Sequence, residues 1–446
     1  MKIHSYLLPG AETAEAGMAE KADAVEFVSR NKPERLTWLQ DAGLGLFLHW
    51  SVDAQLGCVI SHSLVGASDD YVKRFYEELP QTLDETGWDF DHLARLARLA
   101  GFRYGMLTTK HHNGFCLWPT KTTPFHTERN LVKEYAEAFR RQGLAVGFYF
   151  SPEDFWFLRQ EGLPITRKVK PYEEPVMQRY RAHLKAQMTE LLQEFGQVDL
   201  MFFDGGEALY GEDGISLQRY CMELAWDAQP NLLITRGAIP TPEQRLPEEG
   251  ADMAWEGCIT LGTAWQHQPT NEVYKSGRET VRLIMDTRAK GGTLLLNLGP
   301  DERGALPEQQ EDIIREWALW HFINHEAVHD TRCYQTPWEG DTCLVKAKDG
   351  SAVYAVLFGE TNWKRGERRK VVLSSVKAGE NTRISVLGQS GEEVEYYPET
   401  DAKTYWQQKA DGLHISAVNA QRIYCGSEWG GPLVLKIENP DLGGKK

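Results

Sequence analysis

The stretch Val198-Asp-Leu-Met-Phe-Phe-Asp204-Gly-Gly is an apolar run that ends in a carboxylate and two glycines. A run this apolar reads as a strand buried on both faces, as in a parallel sheet. Asp204 then sits at the strand's C-terminal end, where βα-barrel enzymes keep their chemistry. Asp is also a favoured helix cap, so Asp204 alone is read equally well either way. Three other strand ends shift the balance. They read Phe47-Leu-His49-Trp50-Ser51, Thr108-Thr-Lys-His111-His112-Asn113-Gly and Phe148-Tyr149-Phe-Ser151. A single His at a strand end is usually a hydrogen-bonded structural residue. Several on successive strands converge on one pocket when the strands close into a barrel.

Two carboxylates about 5–5.5 Å apart, one nucleophile and one acid/base, cleave a glycosidic bond with retention. Asp204 is the nucleophile candidate. The partner is expected from a later strand end, and Ala254-Trp-Glu256-Gly-Cys-Ile-Thr-Leu-Gly-Thr-Ala-Trp265 supplies Glu256 in an apolar setting. Burial there raises a carboxyl pKa and keeps it protonated as an acid. Glu248 and Glu249 lie in a Pro-Glu-Glu-Gly turn and read as solvated. His49, His111, His112 and Asp204 also have the composition of a metal site. His111 and His112 are adjacent, however, and consecutive strand residues point to opposite faces. Sugar chemistry without metal or cofactor is therefore the preferred reading.

The elements that must position these residues alternate. Strands are expected at Gly45–Trp50, Tyr104–Thr109, Ala145–Ser151, Val198–Asp204, Leu232–Thr235, Met253–Cys258 and Thr293–Leu298. Helices are expected at Phe90–Ala100, Leu131–Gln142, Glu174–Phe195, Ser216–Ala228, Glu272–Ala289 and Glu308–Asn324. This is the pattern of βαβ units and a parallel sheet, an α/β fold of the (β/α)8-barrel kind with one element not found. Residues 1–30 read as an N-terminal arm with a short helix. After residue 335 short strands separated by Gly, Asn, Asp and Ser replace the helices: Val353–Phe358, Lys370–Ser374, Thr382–Leu387, Val394–Tyr397, Leu413–Ala417, Arg422–Cys425 and Pro432–Ile437. They predict a C-terminal antiparallel β-sandwich over 336–446, with the catalytic barrel over 1–335. Tyr405, Trp406 and Trp429 lie in its turn-rich part, and core packing is the favoured role for those tryptophans.

The chain of 446 residues is long enough for two cores, and 41% hydrophobic with 25% charged residues is ordinary for a soluble globular protein. A net charge of −15 argues against nucleic acid and anionic membrane as partners and favours a neutral substrate. The 7 Cys form no C-x-x-C pair, and no apolar run is long enough for a signal or a membrane span. A cytoplasmic location is expected.

Together these segments resemble the α-L-fucosidases of glycoside hydrolase family 29, over about residues 35–335. The matching strings are Gly45-Leu-Phe-Leu-His49-Trp50, Thr108–Phe115, Tyr149-Phe-Ser151, the Phe-Asp-Gly ending at Gly205, and Leu294–Pro300. The resemblance implies a retaining mechanism without metal or organic cofactor, release of L-fucose from a fucosylated glycoside, and a C-terminal β-sandwich. It implies Asp204 as nucleophile and Glu256 as acid/base. It implies sugar contacts from His49, Trp50, His111, His112, Tyr149 and Arg236, with Trp265 as an aromatic wall. Three places depart from the family pattern. Asn113 stands for an Asp, Ser51 for a Gly, and Ser61–Tyr71 for a segment with a Glu-Trp pair. His62, Asp69 and Asp70 are the candidates to take over the missing contacts. A related sugar such as an α-L-galactoside is the alternative substrate. A weakly catalytic carbohydrate-binding protein and a metal-dependent hydrolase are alternatives of another class. Assembly into a homo-oligomer is left open.

Overall fold

The computed structural model describes residues 4–5, 27–166, 172–360, 362–421 and 431–443. Most of the expected N-terminal arm, the strand Arg422–Cys425 and Trp429 lie outside the described residues. Seven strands form one parallel sheet: β1 Leu44–Leu48, β2 Tyr104–Lys110, β3 Ala145–Phe150, β4 Leu200–Phe203, β5 Leu233–Ile234, β6 Glu256–Thr260 and β7 Thr293–Leu298. Their order is β5-β4-β3-β2-β1-β7-β6, so the sheet curls round β1, and β5 and β6 are its ends. Side-chain alternation sorts the apolar residues. Phe47, Tyr104, Met106, Tyr149, Phe202, Leu233, Cys258 and Leu295 fill the inside of the curl. Leu46, Leu48, Leu107, Phe148 and Leu296 face the surrounding helices.

The element missing from the sequence pattern occupies the gap between β5 and β6. Residues 239–244 run there, with Glu243 paired in parallel to Cys258 and Arg236 to Ile239. The N–H groups of Glu256 and Cys258 donate to the carbonyls of Pro240 (3.1 Å) and Pro242 (3.0 Å). Proline accepts but has no N–H to give. The segment Ile-Pro-Thr-Pro-Glu therefore lines the edge of β6 without being a regular strand, and it carries no strand signal in the sequence.

The six expected helices are present, most trimmed by a residue or two at an end. The largest change is at Glu272–Ala289, which starts at Gly277 because Ser276 and Glu279 form a capping box. Three shorter helices join them: Pro33–Ala42, Asp69–Glu77, whose Tyr71, Val72, Phe75 and Tyr76 make one apolar face, and Phe155–Gln160. The first places Leu39 and Ala42 against the inward residues of the sheet.

A second body begins at Thr331, inside the region assigned to the barrel, because Thr331–Glu339 pairs with Thr342–Ala347. A five-stranded and a three-stranded antiparallel sheet make a sandwich. Leu344, Val353, Ala355 and Leu435 of one sheet pack on Val371, Leu373, Leu413 and Ile415 of the other. Val394–Tyr397 is a turn, and Tyr405–Lys409 is an exposed edge strand. Trp406 lies on that edge, 38% exposed, which removes it from the core role expected of it. The six described cysteines are free thiols. Among the described residues no helix is long and apolar enough to cross a membrane.

Candidate active site

Asp204 follows β4 directly, at the C-terminal mouth of the curl. Gly205 and Gly206 come next with φ of 80° and 84°. That left-handed turn is open to glycine. A Cβ on Gly205 would also lie 3.1 Å from the Glu153 carboxyl carbon. The turn leaves the Asp204 carboxylate uncrowded, and Tyr149, Arg236 and His112 meet it. Tyr149 Oη donates to Oδ2 at 2.8 Å. Arg236 Nε lies 3.4 Å from Oδ1. His112 Nε2 lies 3.7 Å from Oδ2. Burial and the Asp204 charge push the Tyr149 phenol well above its ordinary range, so it stays a donor.

Four imidazoles gather beside this carboxylate. His49 and His111 rings are 6.1 Å apart, and those of His111 and His112 are 4.2 Å apart. His62 reaches over from an exposed position, 5.7 Å from His112 ring to ring. The expectation that adjacent His111 and His112 face opposite ways is corrected here. β2 ends at Lys110, so the period-two rule no longer applies, and both rings enter one pocket. Donor atoms of His111, His112 and Asp204 lie within 4.8 Å of one another, close enough to hold a metal ion. Each of the three inner imidazoles is tied by Nδ1: His49 to Asn297 Oδ1 (2.6 Å), His111 to Ser61 Oγ (2.7 Å) and His112 to Ser151 Oγ (2.6 Å).

Arg236 lies beside the pocket end of β5 and spans two carboxylates. Its Nη1 and Nη2 donate to Glu243 Oε2 at 2.9 and 2.8 Å, while its Nε faces Asp204. Glu243 comes from the proline segment and sits beside Trp265. Burial raises its carboxyl above the ordinary range, the Arg236 charge opposes this, and the Asp204 charge adds to it. The Trp265 ring stacks obliquely 4.9 Å from His49 and forms a wall. Glu207, three residues after Asp204, is pushed up to about 7 by burial and by the Asp204 charge. Its carboxylate accepts from Gln218 Nε2 on the outer helix Leu217–Ala228. Sequence reasoning missed Glu243 and Glu207. Glu243 is hidden among prolines, and no strand signal marks the place.

Three residues expected in the site are elsewhere. Glu256 is the first residue of β6, not near its end. Its carboxyl accepts the phenol proton of Tyr104, itself the first residue of β2. Both therefore lie at the floor of the curl, and Glu256 is 0% exposed. Four strand residues, ~13 Å, separate it from the mouth end of β6. The sequence placed this strand at Met253–Cys258, and the shift inverts the end on which Glu256 falls. The Trp50 ring points outward, buried on Trp88 at 5.6 Å, and its Nε1 donates to the Asp301 carbonyl at 2.7 Å. Asp70 is exposed in the first turn of Asp69–Glu77, where a carboxylate suits the free N–H groups.

The departures from the family pattern are joined to one another. Asn113 Nδ2 donates to Ser51 Oγ at 2.8 Å and approaches Asp53 Oδ1 at 3.5 Å. Asp53 Oδ2 accepts the Ser61 N–H at 2.7 Å, and Ser61 Oγ accepts the Asn113 N–H at 2.9 Å. Ser51, Asp53, Ser61 and Asn113 thus form one buried network that carries the loop holding Ser61 and His62 onto the histidines.

The family model "Alpha-L-fucosidase" matches residues 13–326. The chain belongs to the α-L-fucosidase family. It is a glycoside hydrolase, in keeping with a carboxylate, an arginine and a cluster of imidazoles at one strand mouth. The tissue alpha-L-fucosidase of Rattus norvegicus is 25% identical over 426 residues, 86% of this chain and 88% of the relative. Alpha-L-fucosidase isoenzyme 1 from Paenibacillus thiaminolyticus has the same fold: TM-score 0.69, 22% identity, 91% of this chain and 98% of that one. So does a Bacteroides thetaiotaomicron GH29 α-L-fucosidase described as a trapped covalent intermediate in complex with 2-fluoro-fucosyl fluoride: TM-score 0.69, 19% identity, 94% and 98% covered.

Proposed function

We propose that this fucosidase releases L-fucose from α-L-fucosides by double displacement, with Asp204 as nucleophile and Glu243 as acid/base. The observation that carries this reading is the single guanidinium of Arg236 held between the two carboxylates. Only carboxylates a few ångström apart can share one guanidinium, which suits a retaining pair at about 5–5.5 Å. An Asp204 oxygen attacks the anomeric carbon while Glu243 protonates the departing oxygen. The leaving group departs and a glycosyl ester remains on Asp204. Glu243, now a carboxylate, takes a proton from water, which attacks the same carbon and frees Asp204. Electrostatics supports the division of roles. Asp204 has the Tyr149 phenol and the Arg236 guanidinium beside it, whereas burial and the Asp204 charge favour a proton on Glu243. Forming the ester removes the Asp204 charge and lets Arg236 pull the Glu243 pKa down, as a base requires. The trapped intermediate described for the Bacteroides relative supports a covalent step. Glu207 is the lesser candidate, because its carboxylate is engaged away from Trp265 by Gln218.

Asp204→Gly is expected to abolish hydrolysis of an aryl α-L-fucoside, with azide restoring turnover and yielding the azide of inverted configuration. Near-normal turnover in Asp204→Asn would remove the nucleophile assignment. Glu243→Gln is expected to lose far more activity on poor leaving groups than on activated aryl fucosides. The same split in Glu207→Gln, and not in Glu243→Gln, would transfer the role. Activity unchanged by a chelator is expected, and its loss would favour the His111–His112–Asp204 metal reading. A panel with L-fucoside and L-galactoside decides the sugar.

A further inference from the structure

His49 and His111 are both held by Nδ1, but by partners of opposite character. Asn297 Nδ2 donates to the Trp265 carbonyl at 2.7 Å, and a carbonyl only accepts. This orients the amide, so its oxygen faces His49 at 2.6 Å and His49 Nδ1 carries the proton. Ser61 acts in the other sense. Its Oγ accepts the Asn113 N–H at 2.9 Å, and its other partner among the described residues is His111 Nδ1 at 2.7 Å. Ser61 is fully buried, and a buried hydroxyl proton is donated where an acceptor is in reach. It therefore points at His111 Nδ1, which is bare. Burial holds both rings neutral, lowering His49 to about 4 and His111 well below its ordinary range. A neutral imidazole has one N–H. The His111 proton is thus on Nε2, and the His49 Nε2 offers a lone pair. Ser61 adopts a left-handed backbone, φ 62°, uncommon for a residue with a side chain, and the Asp53 carboxylate grips its N–H there at 2.7 Å.

We propose that Ser61 and Asn297 are positioning residues that set His111 and His49 in opposite tautomers, so that the pocket offers one N–H and one nitrogen lone pair to a sugar hydroxyl. The hydroxyl as ligand rests on the fucosidase reading above; the tautomers rest on the hydrogen bonds and on the burial that keeps both rings neutral. A hydroxyl gives one proton and accepts another, so one group suits both nitrogens. A fluorine in its place keeps only the His111 contact, and hydrogen keeps neither. An ammonium group, which only donates, is rejected by His111. The Nε2 proton on His111 also denies a metal ion the lone pair it would need there.

The test is long-range proton–nitrogen NMR of the full-length, ligand-free protein labelled at histidine, with His49 and His111 assigned by single His→Gln variants. His49 is expected to show a protonated Nδ1 and His111 a protonated Nε2. Ser61→Gly keeps the left-handed backbone without strain and deletes the hydroxyl. It is expected to release His111 from the Nε2–H form and to lower kcat/KM by about tenfold, the worth of one lost hydrogen bond. Asn297→Asp keeps an acceptor on His49 and is expected to keep its Nδ1–H form. A wild-type His111 protonated on Nδ1, or a Ser61→Gly variant with an unchanged His111 tautomer, overturns the proposal. If the tautomers are as assigned and no fucoside is hydrolysed, the fucosidase reading fails and the assignment stands. If fucoside is hydrolysed by a protein with His111 in the Nδ1–H form, the assignment fails alone.

Discussion

Asp204, just past the end of β4, and Glu256, at the start of β6, are both carboxylates of one sheet, and their surroundings divide them. Asp204 meets an arginine, a tyrosine and a histidine at the mouth. Glu256 lies at the floor with Tyr104 as its donor and Thr235 beside it, and burial pushes it up to about 7. Its unfolded value is the ordinary 4.5. The folded protein therefore binds more protons than the unfolded chain between about pH 4.5 and 7, and stability falls as pH rises through that window. Buried Asp53, pushed up to about 6, acts in the same direction from a lower starting value. Glu256→Gln is expected to gain on the order of 3 kcal/mol at pH 8 and little at pH 4, while kcat/KM on a poor-leaving-group fucoside stays near normal. Denaturant unfolding at both pH values checks the first part. Selective loss on the poor leaving group would return Glu256 to the acid/base role.

At the scale of elements, the loop from Ser51 to Ser61 is tied by Asp53 and Asn113. Asn113→Asp sets a second carboxyl against buried Asp53. It is expected to destabilise the fold by about 1–3 kcal/mol and to lower activity through His111. The double change with Asp53→Asn removes the like pair and is expected to recover part of the loss. Simple additivity in a double-mutant cycle would show that the two residues do not couple. A second element depends on Lys110, whose Nζ lies 2.9 Å from Asp154 Oδ2, both buried. Asp154 also caps Phe155–Gln160. Lys110→Met takes the buried lysine charge from that carboxylate, and a loss of about 3–5 kcal/mol is expected by thermal or denaturant unfolding. A loss below about 1 kcal/mol would mean that the helix cap and His183 suffice to hold Asp154.

Across the whole molecule, buried Arg288 joins the two bodies. Its guanidinium donates to the carbonyls of Gln40, Gly292, Val328 and Thr331. Those carbonyls belong to the helix against the curl's floor, the turn before β7, and the start of the sandwich. Arg288→Leu leaves several buried acceptors without donors, and a loss of at least about 3 kcal/mol is expected. A calorimetric melt is expected to shift down, and an unshifted melt would remove this role.

The residue types and their order sufficed for the parallel sheet, the outer helices and the antiparallel second body, because buried strands and amphipathic helices announce themselves by period. They also sufficed to bring His49, His111, His112, Tyr149, Arg236 and Asp204 to one end of the sheet, since each follows or ends a strand. Tertiary structure decided the rest. It set the register of β6, where three residues carry Glu256 from a strand's end to its start. It set the outward turn of Trp50, which depends on where the pleat of β1 stops. It brought Glu243 beside Arg236 through a proline segment that no period marks. The bonds of Asn113 to Ser51, Asp53 and Ser61 join residues 50 or more positions apart. Local propensity cannot express that, because such hydrogen bonds exist only after the chain has closed.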